Sequence, residues 1–417
     1  GNIIAQREGT MNFTIRRLVA LVVGLVLCVG LTASPGSAAP SGPPIRIGGT
    51  LALTGPLAAT SLIHKIAGEI YVEQVNKGNG LLGRPVEWVV LDDQSKADVT
   101  RTLYERLITV DKVDLLIGPY GTQAILSAMA VAQRYQKMLV HHTFGIPHLA
   151  KYEMHFPASH MGPEPDKTYP PILFDALAST GKPPKTIAIV TSKFPATQFI
   201  AAGAREVAAK RGINVPLYLE YEFGNRDFTP IATRIKELNP DFVWVGAIGL
   251  DGNLLLEAFK KLDYAPRGAF YQYPTPGPLA KSPDAKFALS YTNFEEHPPF
   301  TDNPVAAEYV KFFRERATKA GLPYPVVDTQ AAASYTAWKL IEAAVTATKS
   351  LDDKTLAQWL KKNKVDTIMG RLRFDGPNNF GDDLAKVKQV HEGRWMVVWP
   401  REWAAPGTKL VYPSSAQ

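Results

Sequence analysis

Tyr120, Gly121 and Thr122 stand between the apolar run Val113–Gly118 and a helix-length amphipathic stretch over Gln123–Tyr135. A short apolar run stopped by glycine and proline reads as a strand, and apolar residues recurring at helical spacing read as an amphipathic helix. The tripeptide therefore occupies a strand-to-helix turn. The first turn of a helix presents unpaired N–H donors and a partial positive charge, which together suit an anion. Thr122 adds a hydroxyl to that set, although a threonine here can also serve as an ordinary N-cap. A second polar turn, His141-His142-Thr143-Phe144-Gly145, follows the next apolar run, Met138–His141.

Other chemistries lack their residues. There is no Gly-x-Ser-x-Gly elbow or P-loop, so nothing points to a catalytic nucleophile or a P-loop phosphate cradle, and no cofactor is expected. Asp92-Asp93 is better explained as a turn carrying an inter-lobe or helix-cap contact than as a catalytic carboxylate pair. Five of the eight histidines, His141, His142, His148, His155 and His160, fall close together. Zinc needs three or four ligands converging tetrahedrally, and adjacent histidines in an extended strand point to opposite faces, so no metal site is expected.

The elements that must position these turns alternate. Strands end at Thr54-Gly55-Pro56, at Asp92–Ser95 and at Gly118–Thr122, each followed by a helical stretch, and this βαβαβ order places all three ends at one crevice of a parallel sheet. Met154–Phe156 extends the same layer. A second set begins after Pro183-Pro184, with strands at Thr186–Thr191, Pro216–Glu220, Asp241–Val245 and Gly268–Tyr271, and helices at Gln198–Arg211, Thr229–Leu238 and Asn253–Leu262. The fold class is α/β, with two Rossmann-like lobes. Helices at Pro304–Ala320, Val327–Thr348 and Asp352–Lys362 need a sheet to cover, and closing strands at Gly370–Phe374, Lys386–His391 and Arg394–Trp399 need one to join. Returning the helices to the first lobe and the strands to the second gives three crossings, near Ala158–Gly162, Pro283–Ser290 and Met369–Phe374. Three crossings make a hinge that bends but cannot slide. The expected divisions are 1–39 outside the fold, 40–160 with 287–371 as the first lobe, and 161–286 with 372–417 as the second.

Residues 1–39 read as a secretory signal peptide with upstream residues: Arg16-Arg17, an apolar stretch over Leu18–Leu31, then Ser34-Pro-Gly-Ser-Ala-Ala39. The stretch is shorter than the roughly 20 residues of a membrane span. The single cysteine, Cys28, lies inside it, so no disulfide is expected in the mature chain. The net charge of +7 is scattered, with no block of like charges to suggest nucleic acid or a membrane surface as partner.

Four motifs in register, Leu53-Thr-Gly-Pro56, Asn76-Lys-Gly78 with Gly80-Leu-Leu-Gly83, Leu91-Asp-Asp-Gln-Ser95 and Asp111-Lys-Val-Asp-Leu-Leu-Ile-Gly-Pro119, resemble the leucine/isoleucine/valine-binding family of periplasmic receptors for ABC transporters. The similarity runs from Ile45 to about Trp399. It implies a type I periplasmic-binding fold, a periplasmic monomer that traps a small molecule between closing lobes, and a permease in the inner membrane as partner. It also implies that Tyr120, Gly121 and Thr122 hold a ligand carboxylate. By the same resemblance Thr143 offers its carbonyl to a ligand ammonium, while Gly145 stands where a hydroxyl is expected.

The acid that should pair with the ammonium is absent from Phe270-Tyr-Gln-Tyr-Pro-Thr-Pro-Gly277. A buried ammonium without its carboxylate is costly. In its place stand Phe144, Phe194, Tyr271, Gln272 and Tyr273, with Tyr120 and Ile248 completing the candidate wall. Aromatic pairs contribute about 0.5 to 1.5 kcal/mol each. The expected ligand is thus an aromatic or largely apolar carboxylate, with His142 donating to its carboxylate or phenolic oxygen. The alternatives are a branched-chain or other amino acid and, from a different class, an enzyme on the same scaffold.

Overall fold

The computed structural model describes residues 38–159 and 161–414; the expected signal segment, apart from Ala38 and Ala39, lies outside them. The first lobe is built from Ile45–Leu51 (β1), Ala58–Lys77 (α1), Val86–Asp92 (β2), Ala97–Thr109 (α2), Leu115–Ile117 (β3), Thr122–Arg134 (α3), Leu139–His141 (β4) and His155–Pro157 (β5). Its sheet has the order β2-β1-β3-β4-β5 and is parallel throughout. A parallel sheet is covered on both faces, so its strands carry apolar runs rather than strict alternation. On α1, Ile63, Ile66, Ala67 and Ile70 are all buried, at the spacing that puts them on one face.

The second lobe follows with Pro165–Ala178 (α4), Thr186–Ser192 (β6), Pro195–Lys210 (α5), Asn214–Tyr221 (β7), Thr229–Leu238 (α6), Phe242–Gly249 (β8), Asp251–Lys261 (α7), Ala269–Pro274 (β9), Pro276–Lys281 (α8) and Leu289–Thr292 (β10). The chain then passes through Pro304–Lys319 (α9), Thr329–Thr348 (α10), Asp353–Lys362 (α11), Val365–Thr367 (β11), Gly370–Leu372 (β12), Lys386–His391 (β13) and Arg394–Trp399 (β14). The second sheet runs β14-β13-β10-β9-β8-β6-β7, with β13 and β14 the antiparallel members. Trp244, Phe270 and Tyr291 pack across three of its strands in tilted and edge-to-face contacts, with ring centroids 4.4 and 4.6 Å apart.

Helices α9 and α10 pack with α1 of the first lobe. Tyr71 of α1 stacks on Trp338 of α10 at 5.2 Å, and Tyr309 of α9 on Tyr335 at 4.0 Å. The long α10 starts where Asp328 accepts from the N–H groups of Gln330 and Ala331 at 2.9 and 3.1 Å, an N-cap that satisfies two orphan donors.

The expected divisions need three corrections. Leu289–Thr292, assigned to the first lobe, is a strand of the second sheet, parallel to β9 and antiparallel to β13; the second crossing therefore falls at Asn293–Glu296. The strand at Gly370 does not join that sheet but forms a hairpin with β11. Residues 372–380 then stay against the first lobe, where Asn379 Nδ2 donates to the carbonyls of Glu153 and His155 and Phe374 packs on Phe156. The third crossing lies instead near Asp383, which bridges to Met161 on the first. Finally, α4 carries Pro170 and Pro171 in its interior, and two residues without N–H donors conceal a helix from sequence reasoning.

Asp92 and Asp93 tie the turns of β1 and β2 together. Asp92 accepts from Leu53 N–H and Thr54 Oγ1 at 2.9 and 2.8 Å, and Asp93 from Thr50 Oγ1 at 2.7 Å.

Candidate functional site

The lobes meet across the carboxyl ends of both sheets. Thr60 Oγ1 of α1 lies 2.6 Å from Thr275 Oγ1 beyond β9, a hydroxyl pair that spans the cleft. Between the lobes lies a cavity with about 630 Å³ of empty space, its mouth included. One end is built from the two turns singled out above. Gly121 has φ +94°, a conformation that strains any side chain. Its N–H donates to Thr143 Oγ1 at 3.0 Å, while Gly145 N–H donates to Thr122 Oγ1 at 3.1 Å. The two turns thus cross-brace each other. Each hydroxyl accepts from the opposite turn; Thr122 keeps its own proton to donate, while the Thr143 hydroxyl also lies 3.3 Å from His142 Nδ1. Thr122 is the first residue of α3 rather than its cap, and no side chain caps that helix. Uncapped first-turn N–H groups beside two hydroxyls are a donor set of the kind that suits an anion.

His142 lies on the cavity with its ring stacked on His64 at 4.2 Å; His64 is 5.0 Å from the Tyr120 ring and donates Nε2–H to Gln330 Oε1 at 2.8 Å. Burial pushes His142 well below the usual histidine range, with His64 adding to the effect. It is therefore a neutral hydrogen-bonding group at neutral pH, and histidine's normal titration range is not the reason for it to stand here. His141 points the other way, as strand geometry requires. Its Nε2 lies 2.9 Å from His155 Nδ1, and His155 Nε2 lies 2.6 Å from the Asn378 carbonyl. A carbonyl only accepts, so His155 donates from Nε2 and neutral His155 accepts from His141. This is a structural relay inside the first lobe. Among the described residues no three His, Cys, Asp or Glu side chains converge as a metal site.

Burial holds His64 and His155 down to about 4, and His141 and His142 also fall well below the usual value. A base with a depressed folded-state pKa makes the unfolded chain bind more protons as pH falls below about 6.5, so stability is lost on acidification. At pH 5 His64 and His155 should each cost about 2 kcal/mol. Asp251 and Asp328, pushed up to about 6 by burial, act oppositely and should return about 1 kcal/mol each. Burial also raises Asp93, Glu295, Asp353 and Asp383, which oppose the histidines in the same window, so the imidazole share is read by difference. His155→Gln should reduce the loss of unfolding free energy between pH 7 and pH 5 by about 2 kcal/mol in denaturant melts, and an unchanged loss would contradict a buried neutral imidazole there.

Of the other expected site residues, Phe194, Ile248 and Tyr273 line the cavity with Tyr120 and the two turns. Three do not. Phe144 is buried against His141 at 5.6 Å. Tyr271 lies under α7, so that a Cβ on Gly252 would come 2.8 Å from its ring. Tyr273, two residues farther along, emerges at the strand end and lines the cavity. Gln272 is a bracket: its amide accepts from Trp244 Nε1 at 3.3 Å and donates to the Ala196 carbonyl at 3.2 Å. The turns at Thr54–Pro56 and Asp92–Ser95 stand near the cleft without lining the cavity.

Sequence reasoning missed a whole wall. Ser159 and Met161 come from the first crossing, Tyr169 from α4, and Tyr291, Thr292 and Asn293 from β10 and the second crossing; Thr329, Gln330 and Ala333 come from the start of α10. The exposed signal was the polar cap Asp328-Thr329-Gln330 opening an otherwise apolar helix. Among the described residues lining the cavity there is no Asp, Glu, Lys or Arg. A ligand anion here is met by dipoles and hydroxyls alone.

This two-sheet architecture has relatives. The family model described as periplasmic binding protein matches residues 44–394. The chain belongs to the periplasmic binding protein family. Its type I fold is that of a solute-binding receptor and not of an enzyme. Among curated proteins, a leucine-, isoleucine-, valine-, threonine- and alanine-binding protein of Pseudomonas aeruginosa is 22% identical over 192 residues, which span 46% of this chain and 50% of that protein. Among solved structures, a leucine-binding protein from Thermotoga maritima superposes with a TM-score of 0.72 at 18% identity, over 85% of this chain and 97% of its own. An ABC transporter solute-binding protein of R. palustris, in complex with benzoate, gives 0.73 at 18% identity, over 88% and 99%. At such identities these structures speak for the fold. No helix among the described residues of this periplasmic binding protein is long and apolar enough to cross a membrane.

Proposed function

We propose that this periplasmic binding protein is the extracytoplasmic receptor of an ABC importer and captures a small aromatic or largely apolar carboxylate between its lobes. The observation that carries this reading is the composition of the cavity. One end offers the uncapped start of α3 with the Thr122 and Thr143 hydroxyls, the walls are Phe194, Ile248, Tyr273 and Met161, and among the described residues no lining side chain carries a charge. An α-amino acid would leave its ammonium without a carboxylate in contact, at a cost of several kcal/mol. The partner that receives the ligand is a permease of the inner membrane, and the receptor acts there as a periplasmic monomer released from a signal peptide.

A receptor for branched-chain amino acids is the second reading, favoured by the likeness to the leucine-binding protein. One assay separates the two. Ligand that binds only the folded protein raises its melting temperature by mass action. Benzoate and related acids should do so and leucine should not; the reverse pattern would replace the first reading by the second. Thr122→Ala should weaken carboxylate binding by about 1 to 3 kcal/mol, the range for a hydrogen bond to a charged group. An unchanged dissociation constant by calorimetry would remove Thr122 from the site.

A further inference from the structure

Away from the α3 end, three tyrosines from three separate elements meet on the cavity: Tyr169 of α4, Tyr273 at the end of β9 and Tyr291 of β10. The rings of Tyr169 and Tyr291 lie 4.2 Å apart. Tyr291 is only 5% exposed and its hydroxyl is buried with no hydrogen-bond partner; the Tyr273 hydroxyl is buried beside the Gln272 side chain. An unsatisfied buried hydroxyl costs about 1 to 3 kcal/mol, and one aimed at a cavity is more than packing requires. Behind them, at the third crossing, sits Asp383. Its Oδ1 accepts from Ala385 N–H at 2.8 Å, while Oδ2 is buried without a partner. The nearest counter-charge, Lys386, is engaged elsewhere: its ammonium donates to the Leu384 carbonyl at 2.6 Å and lies 4.6 Å from the Trp403 ring centre.

We infer that this tyrosine cluster is a second polar subsite, which selects monocarboxylates bearing a neutral hydroxyl remote from the carboxylate and rejects dicarboxylates. The inference rests on the carboxylate reading above and extends it to the far end of the ligand. Burial first, with the Asp383 carboxylate among the lesser causes, holds all three phenols above their usual range. They are neutral, and each can both donate to and accept from a ligand hydroxyl. A second carboxylate would instead meet no cation among the described lining residues and would give up its hydration among neutral phenols in a dry site. A ligand hydroxyl bridging Tyr273 and Tyr291 satisfies the Tyr291 hydroxyl that the protein leaves unpaired. An unsubstituted ring leaves it as it is.

The test is calorimetry of the full mature chain with benzoate, 3-hydroxybenzoate, 4-hydroxybenzoate and terephthalate. At least one hydroxybenzoate should bind about tenfold or more tighter than benzoate, and terephthalate should bind more weakly than benzoate. Tyr291→Phe and Tyr273→Phe should erode that preference, bringing the tighter hydroxybenzoate to within about twofold of benzoate in the same variant. Because the Tyr291 hydroxyl has no partner, Tyr291→Phe should not lower the ligand-free melting temperature. Benzoate binding as tightly as both hydroxybenzoates, or terephthalate binding best, would overturn the subsite while leaving the carboxylate reading in place. If no aromatic acid binds and leucine does, the carboxylate reading falls and takes the subsite with it.

Discussion

Replacing Lys388 by methionine should cost about 3 to 5 kcal/mol of folding stability, because it leaves a buried carboxylate without its counter-charge. Lys388 Nζ donates to Glu295 Oε1 at 2.8 Å, and the two side chains are 1% and 0% exposed. Thr292 Oγ1 donates to the same oxygen at 2.9 Å, and the lysine ammonium lies 4.5 Å from the centre of the Trp395 ring. Glu295 sits in the second crossing and Lys388 on β13, so the pair fastens the hinge segment to the second sheet. Burial raises the Glu295 pKa, and Lys388 is the chief group opposing the rise. Asp328, the cap of α10, is likewise pushed up to about 6 by burial, with Lys388 opposing. Carboxylates with raised folded-state values lose stability as pH climbs from their unfolded pKa through the folded one. Without Lys388 that window should extend upward, so the deficit should be larger at pH 8 than at pH 5. Denaturant melts of Lys388→Met and of Lys388→Met/Glu295→Leu decide it: the double variant should recover most of the loss, because an apolar pair removes the uncompensated charge. A single-variant loss under about 1 kcal/mol would mean the ion pair contributes little beyond its own desolvation.

The first lobe was legible because each of its strands is an apolar run closed by residues that cannot continue it. The turn at Tyr120–Thr122 followed from that punctuation, and its cross-brace with Thr143 and Gly145 adds geometry that spacing cannot supply. Legibility failed where an element is short or breaks its own rule. Four-residue β10 has no room for a periodic signal, and its burial comes from β9 and β13, far away in the chain. Helix α4 forms despite Pro170 and Pro171 because Tyr169, Leu173, Phe174 and Leu177 are buried; packing there overrides propensity. These two elements supply Tyr169 and Tyr291, which is why that wall of the cavity was missed. His64 was missed for a related reason: it is one residue on the buried face of an ordinary amphipathic helix, and only the fold brings it onto His142. The choice among Phe144, Tyr271, Gln272 and Tyr273 turns on one step of strand pleat and on which helix covers which ring.

Gly145 sits where the two lobes meet. A Cβ there would lie 2.6 Å from the Ala196 Cβ on the second lobe and 3.4 Å from Thr122 Oγ1. The first distance is well inside contact, and Ala196 has no flexible end to swing aside, so any side chain at 145 must hold the lobes apart. Gly145→Ala should therefore weaken ligand binding by about 1 to 3 kcal/mol, the usual cost of overpacking, or roughly 5- to 150-fold in dissociation constant. Gly145→Val should lie at the upper end. The clash exists only when the lobes meet, so the melting temperature without ligand should change little. Calorimetry with the aromatic acid that binds the parent protein gives the affinity, and small-angle scattering of the ligand-bound state gives the lobe separation. Ala196→Gly in the Gly145→Ala background removes the opposing carbon and should restore binding. Failure of that rescue, with the first lobe still folded, would show that position 145 acts through the Gly145 N–H donated to Thr122 and the cross-braced turns rather than through closure.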